Sequence, residues 1–173
     1  RPAHRLDAGT GGLLVLAKTG AALRSCSAAF SQSLVQKRYR ALVHGHFELG
    51  QEGQCDEPLH GKPCTTRFRA AEPPVRNGEG WVSTLDLWPV SGRRHQLRRH
   101  LKLLGCPILG DRRYGAGRPA GDGQASGSDS EGGGGEMGAG EELLVAVGAR
   151  QLCLWSLEIS LPHPDAEPSG EGG

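Results

Sequence analysis

The chain has 173 residues, with 20 Lys plus Arg against 19 Asp plus Glu, a formal charge of +1 and 36% apolar residues. That length suits one domain with a single core, and no run nears the roughly 18 consecutive apolar residues of a membrane-spanning helix, so a helical span is excluded for this stretch. The five cysteines at 26, 55, 64, 106 and 153 contain no C-x-x-C pair, lack the histidine spacing of a zinc site and are odd in number. They predict buried or half-buried fillers in a reducing compartment, not a disulfide framework.

In chain order, the opening Arg1-Pro2-Ala3 lacks both Met and an apolar signal region and reads as the start of a fragment. Leu13-Leu14-Val15-Leu16-Ala17 is a short apolar run that predicts a buried strand. Leu23, Cys26, Phe30 and Leu34 recur at helical spacing and predict a helix over 21–36. Alternation around Tyr39, Ala41 and Val43 predicts a strand over 38–44, and 65–70 and 81–90 read as two more. Leu97, Leu101 and Leu104 mark one face of a helix stopped by Gly105. Cys153, Trp155, Leu157, Ile159 and Leu161 alternate with Leu154, Ser156, Glu158 and Ser160, the pattern of a strand. Strands outnumber helices and do not alternate regularly with them, so the expected class is α+β with a mixed, largely antiparallel sheet.

Ten of the 25 residues in 116–140 are Gly, and Met137 is the single large apolar side chain there. Such a segment cannot bury enough apolar area to balance its ordering entropy, and it reads as a disordered insertion. Residues 165–173 read as a frayed tail, which leaves one body built from 1–115 and 141–164. Charge follows the same division: 18 of the 20 basic residues lie in 1–115 against 9 acidic ones, and 16 of the 20 are Arg. An arginine-rich body with an acidic remainder points to nucleic acid, with a solvated basic face as the alternative.

Three segments can carry chemistry. His4-Arg5-Leu6-Asp7-Ala8-Gly9-Thr10-Gly11-Gly12 sets an acid in a glycine-rich loop, where backbone amides can aim it into a cleft or merely close a turn. Its glycines match neither G-x-G-x-x-G nor a P-loop. Ser91-Gly92-Arg93-Arg94-His95-Gln96-Leu97-Arg98-Arg99-His100 sits at a strand–helix junction, where amides and Arg side chains converge on anions. Arg98 adjoins the core-facing stripe, and a half-buried Arg needs a carboxylate, which a cleft Asp would supply. In Lys37-Arg38-Tyr39-Arg40 an aromatic between basic residues can stack on an unpaired base, or simply lie half buried in the sheet.

Taken together, His4-Arg5-Leu6-Asp7-x-x-Thr10-x-Gly12-Leu13-Leu14-x-x-Ala17-Lys18, Lys37-x-Tyr39-x-Ala41-Leu42-Val43, Gly92-Arg93-x-His95-Gln96-Leu97-Arg98-x-His100-Leu101 and Pro107-Ile108-Leu109-Gly110-Asp111 resemble the RluA-type RNA pseudouridine synthases. Pro58-Leu59-x-Gly61-Lys62-Pro63 and the closing Pro162-His163-Pro164 are similar as well. The resemblance implies an α+β pseudouridine synthase fold with flanking helices and a central RNA-binding cleft, here lacking the N-terminal part of the catalytic domain. It implies an isomerase that detaches uracil from ribose in structured rRNA or tRNA, rotates it and rejoins it through carbon. Asp7 is then the catalytic carboxylate, held ionised by a salt bridge to Arg98, and Tyr39 is a catalytic residue that stacks on the flipped uracil and can serve as the base at the sugar. Arg5, Arg93, His95, Arg38 and Arg40 become RNA-binding groups. The expected enzyme is an intracellular monomer that needs no metal or organic cofactor and no membrane. Its compartment is left open among chloroplast, mitochondrion, cytoplasm and nucleus. Ala8 and Gly11 depart from the charged residue and Ser usual in the family's loop, which bears on loop rigidity and substrate choice. A non-catalytic RNA-binding relative is the alternative, and a hydrolase built on an Asp and His95 finds no Ser or Cys motif to support it.

Overall fold

The computed structural model describes residues 1–77, 80–115 and 151–163. Among the described residues seven strands and two helices follow one another as β1 (Gly11–Gly12), α1 (Gly20–Ser31), β2 (Gln36–His44), β3 (Glu52–Cys55), β4 (Thr66–Ala70), β5 (Val75–Asn77), β6 (Gly80–Pro89), α2 (Gln96–Leu103) and β7 (Leu154–Ser160). They form one sheet in the order β1-β7-β2-β6-β4-β3, with β5 also on β6. Every pairing is antiparallel except that of β1 with β7. The α+β class and the largely antiparallel sheet are those expected from the pattern. The expected disordered insertion 116–140, the return 141–150 and the tail 165–173 lie outside the described residues.

One sheet face carries the core. Ala41 and Val43 of β2, Leu85 and Leu87 of β6, and Phe68 and Ala70 of β4 pack against Leu97 and Leu101 of α2 and against Ile108 and Leu109. Each fully buried Leu contributes roughly 1.5–3 kcal/mol, so this layer fixes where α2 lies. Gln96, at the start of α2, welds that helix to the sheet. Its Oε1 accepts from Ser91 Oγ at 2.7 Å and Arg93 N at 3.0 Å, and its Nε2 donates to Thr65 O at 2.9 Å and Thr66 Oγ1 at 3.2 Å. Farther along α2, the buried His100 spans Thr66 Oγ1 at 2.9 Å and Glu57 O at 3.0 Å. The helix ends as expected before Gly105, which takes φ 76°.

Two local expectations are corrected, and the strand expected at the end of the chain shows which of its rows is covered. Residues 13–17 form no buried strand: Leu13, Leu14 and Leu16 are 50%, 44% and 64% exposed, and β1 is confined to Gly11–Gly12. An apolar run records affinity for a partner surface, and here the neighbouring chain segment, Arg1 to Ala3, covers little of it. The first helix stops at Ser31, so Leu34 is exposed and Val35 is buried. In β7 the inward residues are Leu154 and Ser156, while Trp155 and Leu157 are exposed. The apolar row of β7 therefore faces outward, because register with β2 and not side-chain polarity decides which row is covered.

Candidate active site

The Asp7 loop is held against β7 by glycine geometry. Gly12 has φ 103°, and a Cβ there would come within 2.1 Å of Ser156 O, so β1 can lie this close to β7 only as glycine. The amide of Leu13 donates to the same Ser156 O at 3.0 Å. Within the loop, Thr10 N donates to Asp7 O at 3.0 Å, which closes a tight turn and leaves the half-buried Asp7 carboxylate free to face inward. On the other side of the loop the His4 ring stacks on Phe30 of α1 at 4.6 Å, and its Nε2 accepts from Val15 N at 3.1 Å.

β2 brings Tyr39 to the same place. Tyr39 lies opposite Leu87 of β6 and Ser156 of β7, on the core face of the sheet. Burial raises the pKa of its phenol, the nearby Ser156 hydroxyl works the other way, and the Asp7 charge raises it further. Tyr39 is thus a neutral phenol at pH 7 within the field of Asp7. Ser156 Oγ and Thr10 Oγ1 are both buried and, among the described residues, have no hydrogen-bond partner of ordinary length.

The third contribution comes from the turn before α2. His95 is its N-cap residue with φ 54° and ψ 29°, a left-handed conformation that costs a non-glycine residue of order 1 kcal/mol and persists only where surrounding contacts fix it. Gln96 supplies that fixing. The His95 ring reaches Asp7 Oδ1 with Nε2 at 3.8 Å and Tyr114 OH with Nδ1 at 3.0 Å. Burial lowers the His95 pKa; Asp7 opposes the shift, and Arg98, Arg94 and Arg113 reinforce it. Burial thus favours the neutral imidazole of His95.

Arg98 departs from expectation. Its Nε and Nη2 each donate at 2.7 Å to the two carboxylate oxygens of Asp111, a buried two-pronged pair, while Asp7 acts on it only through its field. The expected Asp7–Arg98 salt bridge is replaced by Arg98–Asp111, and the group facing Asp7 is the His95 ring. Asp111 Oδ1 also accepts from Arg113 N and Tyr114 N, both at 3.0 Å. Burial alone would raise the Asp111 pKa, but the hydrogen bonds from Arg98 and these two amides outweigh it and hold the carboxyl below its usual range. Sequence reasoning placed Asp111 in a motif without giving it a partner and passed over Tyr114. The available signal was the turn pattern Gly110-Asp111-x-x-Tyr114-Gly115, in which an Asp caps the amides two and three residues on.

Among the expected RNA-binding residues, Arg5 and Arg93 are exposed near Asp7 and His95. Arg38 and Arg40 are not part of this cluster. They point from the opposite sheet face, where Arg40 Nε and Arg38 Nη1 donate to Asp86 at 2.8 and 3.3 Å and Arg38 Nε meets Glu158 at 3.1 Å. Strand alternation requires this, since neighbours of the inward Tyr39 must point outward. A groove of about 390 Å³ on that outer face, lined by Gln54, Arg67, Arg69 and Trp88, lies away from Asp7. Among the described residues no three His, Cys, Asp or Glu are grouped to hold a metal ion, and no helix is long and apolar enough to cross a membrane.

Comparison with known proteins identifies the family and the fold. Residues 1–103 match the family described as RNA pseudouridylate synthase. The dual-specificity RNA pseudouridine synthase RluA of Vibrio vulnificus is 39% identical over 129 residues, which cover 66% of this chain and 51% of that protein. The RluA of Escherichia coli is 38% identical over 126 residues, 64% of this chain and 55% of that protein. Among solved structures, Human RNA Pseudouridylate Synthase Domain Containing 1 superposes with a TM-score of 0.69 at 27% identity, covering 94% of this chain and 64% of that one. The chain thus spans about half the length of these curated relatives.

Proposed function

The chain belongs to the RNA pseudouridylate synthase family, and on that premise we propose that it carries the catalytic centre of an enzyme isomerising uridine to pseudouridine in structured rRNA or tRNA. The observation that supports this most directly is the meeting of three separate segments at Asp7: its glycine-held loop, the half-buried Tyr39 of β2, and the His95 ring 3.8 Å away at the head of α2.

In this reading a uridine flipped from its helix enters beside Tyr39, whose ring face stacks on the uracil, while Asp7 acts at the sugar carbon. The glycosidic bond from C1′ to nitrogen breaks, the base turns, and C1′ bonds to carbon; the carbon-bound proton is lost and the freed nitrogen gains one, so the atoms balance. Flipping costs a few kcal/mol, and stacking together with phosphate contacts from Arg5, Arg93 and Arg94 offsets it. Arg98 serves by holding Asp111 and the turn beneath His95. The reading calls for a monomer without metal or organic cofactor, in a reducing compartment that suits five free, buried cysteines.

Replacing Asp7 by Asn tests the proposal, because it keeps shape and removes the carboxylate. Pseudouridine formed in total rRNA and tRNA is expected to fall at least roughly 100-fold, with RNA affinity within about threefold of the parent. A parent chain, supplied within its full-length protein, that binds RNA but forms no pseudouridine in any pool would make this a binding relative instead.

A further inference from the structure

The contacts of His95 define its tautomer, and they do so through a residue outside the catalytic set. A neutral imidazole carries one N–H. Nδ1 lies 3.0 Å from Tyr114 OH, and Nε2 lies 3.8 Å from Asp7 Oδ1. Were the proton on Nδ1, the lone pair of Nε2 would face a carboxylate oxygen, two electron-rich atoms with no proton between them. With the proton on Nε2, the N–H points at Asp7 and the Nδ1 lone pair accepts from the Tyr114 hydroxyl. Only this arrangement makes both contacts favourable.

The phenol is built to donate. The Arg98 and Arg113 guanidiniums lie 5.0 and 5.7 Å from the ring centroid of Tyr114, and they draw electron density from the ring and its oxygen. The ring itself meets His95 edge-on at 5.7 Å between centroids, and the amide of Tyr114 is fixed on Asp111. One buried pair therefore sets Tyr114, Tyr114 sets His95, and His95 faces Asp7.

We infer that Tyr114 is a positioning residue that locks His95 in the Nε2–H tautomer, so that a neutral histidine presents a hydrogen-bond donor to the Asp7 carboxylate. The separation of 3.8 Å exceeds the roughly 3.2 Å reach of a direct hydrogen bond by about 0.6 Å, so the contact in this structure is electrostatic. A donor there aims the Asp7 carboxylate without placing a full positive charge beside it, leaving it able to act at the sugar. The inference rests on the reading of Asp7 as the reacting carboxylate, but the tautomer itself can be read without any turnover.

The test is nitrogen NMR of the full chain with ¹⁵N-labelled histidine, His95 being assigned by the signal lost in His95→Gln. The parent is expected to show His95 as the Nε2–H form, and Tyr114→Phe, which keeps the ring under both guanidiniums, is expected to show a mixture of the two tautomers. Pseudouridine formation by Tyr114→Phe should fall about three- to tenfold in kcat, the scale of one orienting hydrogen bond, with KM within twofold. A parent in the Nδ1–H form, or a Tyr114→Phe variant with the same tautomer as the parent, overturns the inference. Absence of turnover in the parent, with the tautomer as expected, would instead count against the proposed reaction.

Discussion

Arg98 and Asp111 are the charges with least access to water in the described structure, with side chains 10% and 0% exposed. A buried ion pair adds little net stability, yet removing one member strands the other, at a cost of about 3–5 kcal/mol. Asp111→Asn is accordingly expected to lower the unfolding free energy by about that amount, measured by urea denaturation, because the Asn retains the backbone contacts but not the charge. The pair also fixes a pH response. A carboxyl held below its unfolded value of about 3.9 contributes fully above that pH, and its contribution is lost as the pH falls through the lower folded value. The same residues show how far motifs reach: Asp111 and Arg98 both stand in recognisable patterns, but nothing in a pattern states that they pair with each other. The carboxylate nearest an arginine is fixed by where helix and turn meet in space.

At the scale of elements, α2 organises the site. Its apolar stripe, Leu97 and Leu101, sits on the sheet, its Gln96 holds the preceding turn, and His100 ties it to Thr66 and Glu57 O. Burial is the main cause that lowers the His100 pKa. Its folded value therefore lies under the unfolded one of about 6.5, so stability is complete above that pH and declines as the pH falls toward the folded value. Melting temperature is expected to drop between pH 8 and pH 5, and to drop less steeply in His100→Gln, which starts lower. His4 and His95, lowered in the same direction, contribute to the remaining slope. A parent melting temperature unchanged over that range would contradict this. The helix was legible because period 3.6 and a glycine stop are local signals; the bonds of Gln96 Nε2 and of His100 were not, since their partners lie some 30 to 43 residues away in sequence.

At the scale of the molecule, the sheet separates two arginine populations. Arg5, Arg93 and Arg94 are exposed in the segments that carry Asp7 and His95, whereas Arg38 and Arg40 pair with Asp86 and Glu158 on the other face. Each phosphate contact adds about 0.7–0.9 to the salt dependence of RNA affinity, so Arg93→Ala and Arg94→Ala are each expected to weaken binding and reduce that slope by roughly this much. Arg38→Ala and Arg40→Ala should leave affinity and slope unchanged and lower the melting temperature instead. Equal losses of RNA affinity in both sets would show that RNA wraps both faces. The chain's charge of +1 hides this arrangement, because a net sum records neither which face a charge occupies nor whether it is already paired.

The sequence by itself determined the class of fold, most strands, both helices, and the family membership carried by the segments around Asp7, Tyr39 and Arg98. These rest on signals spanning a few residues: alternation of period 2, helical period, glycine turns and motif spacing. Tertiary structure alone decided that Arg98 pairs with Asp111 and that His95 faces Asp7, that the Tyr39 row of β2 is the one turned to the core, and that β7 turns Ser156 inward and Trp155 out. The register of β2 on β7 shifts between Arg38 and Tyr39. A slip of one residue exchanges the two faces of a strand, and only long-range pairing settles that register.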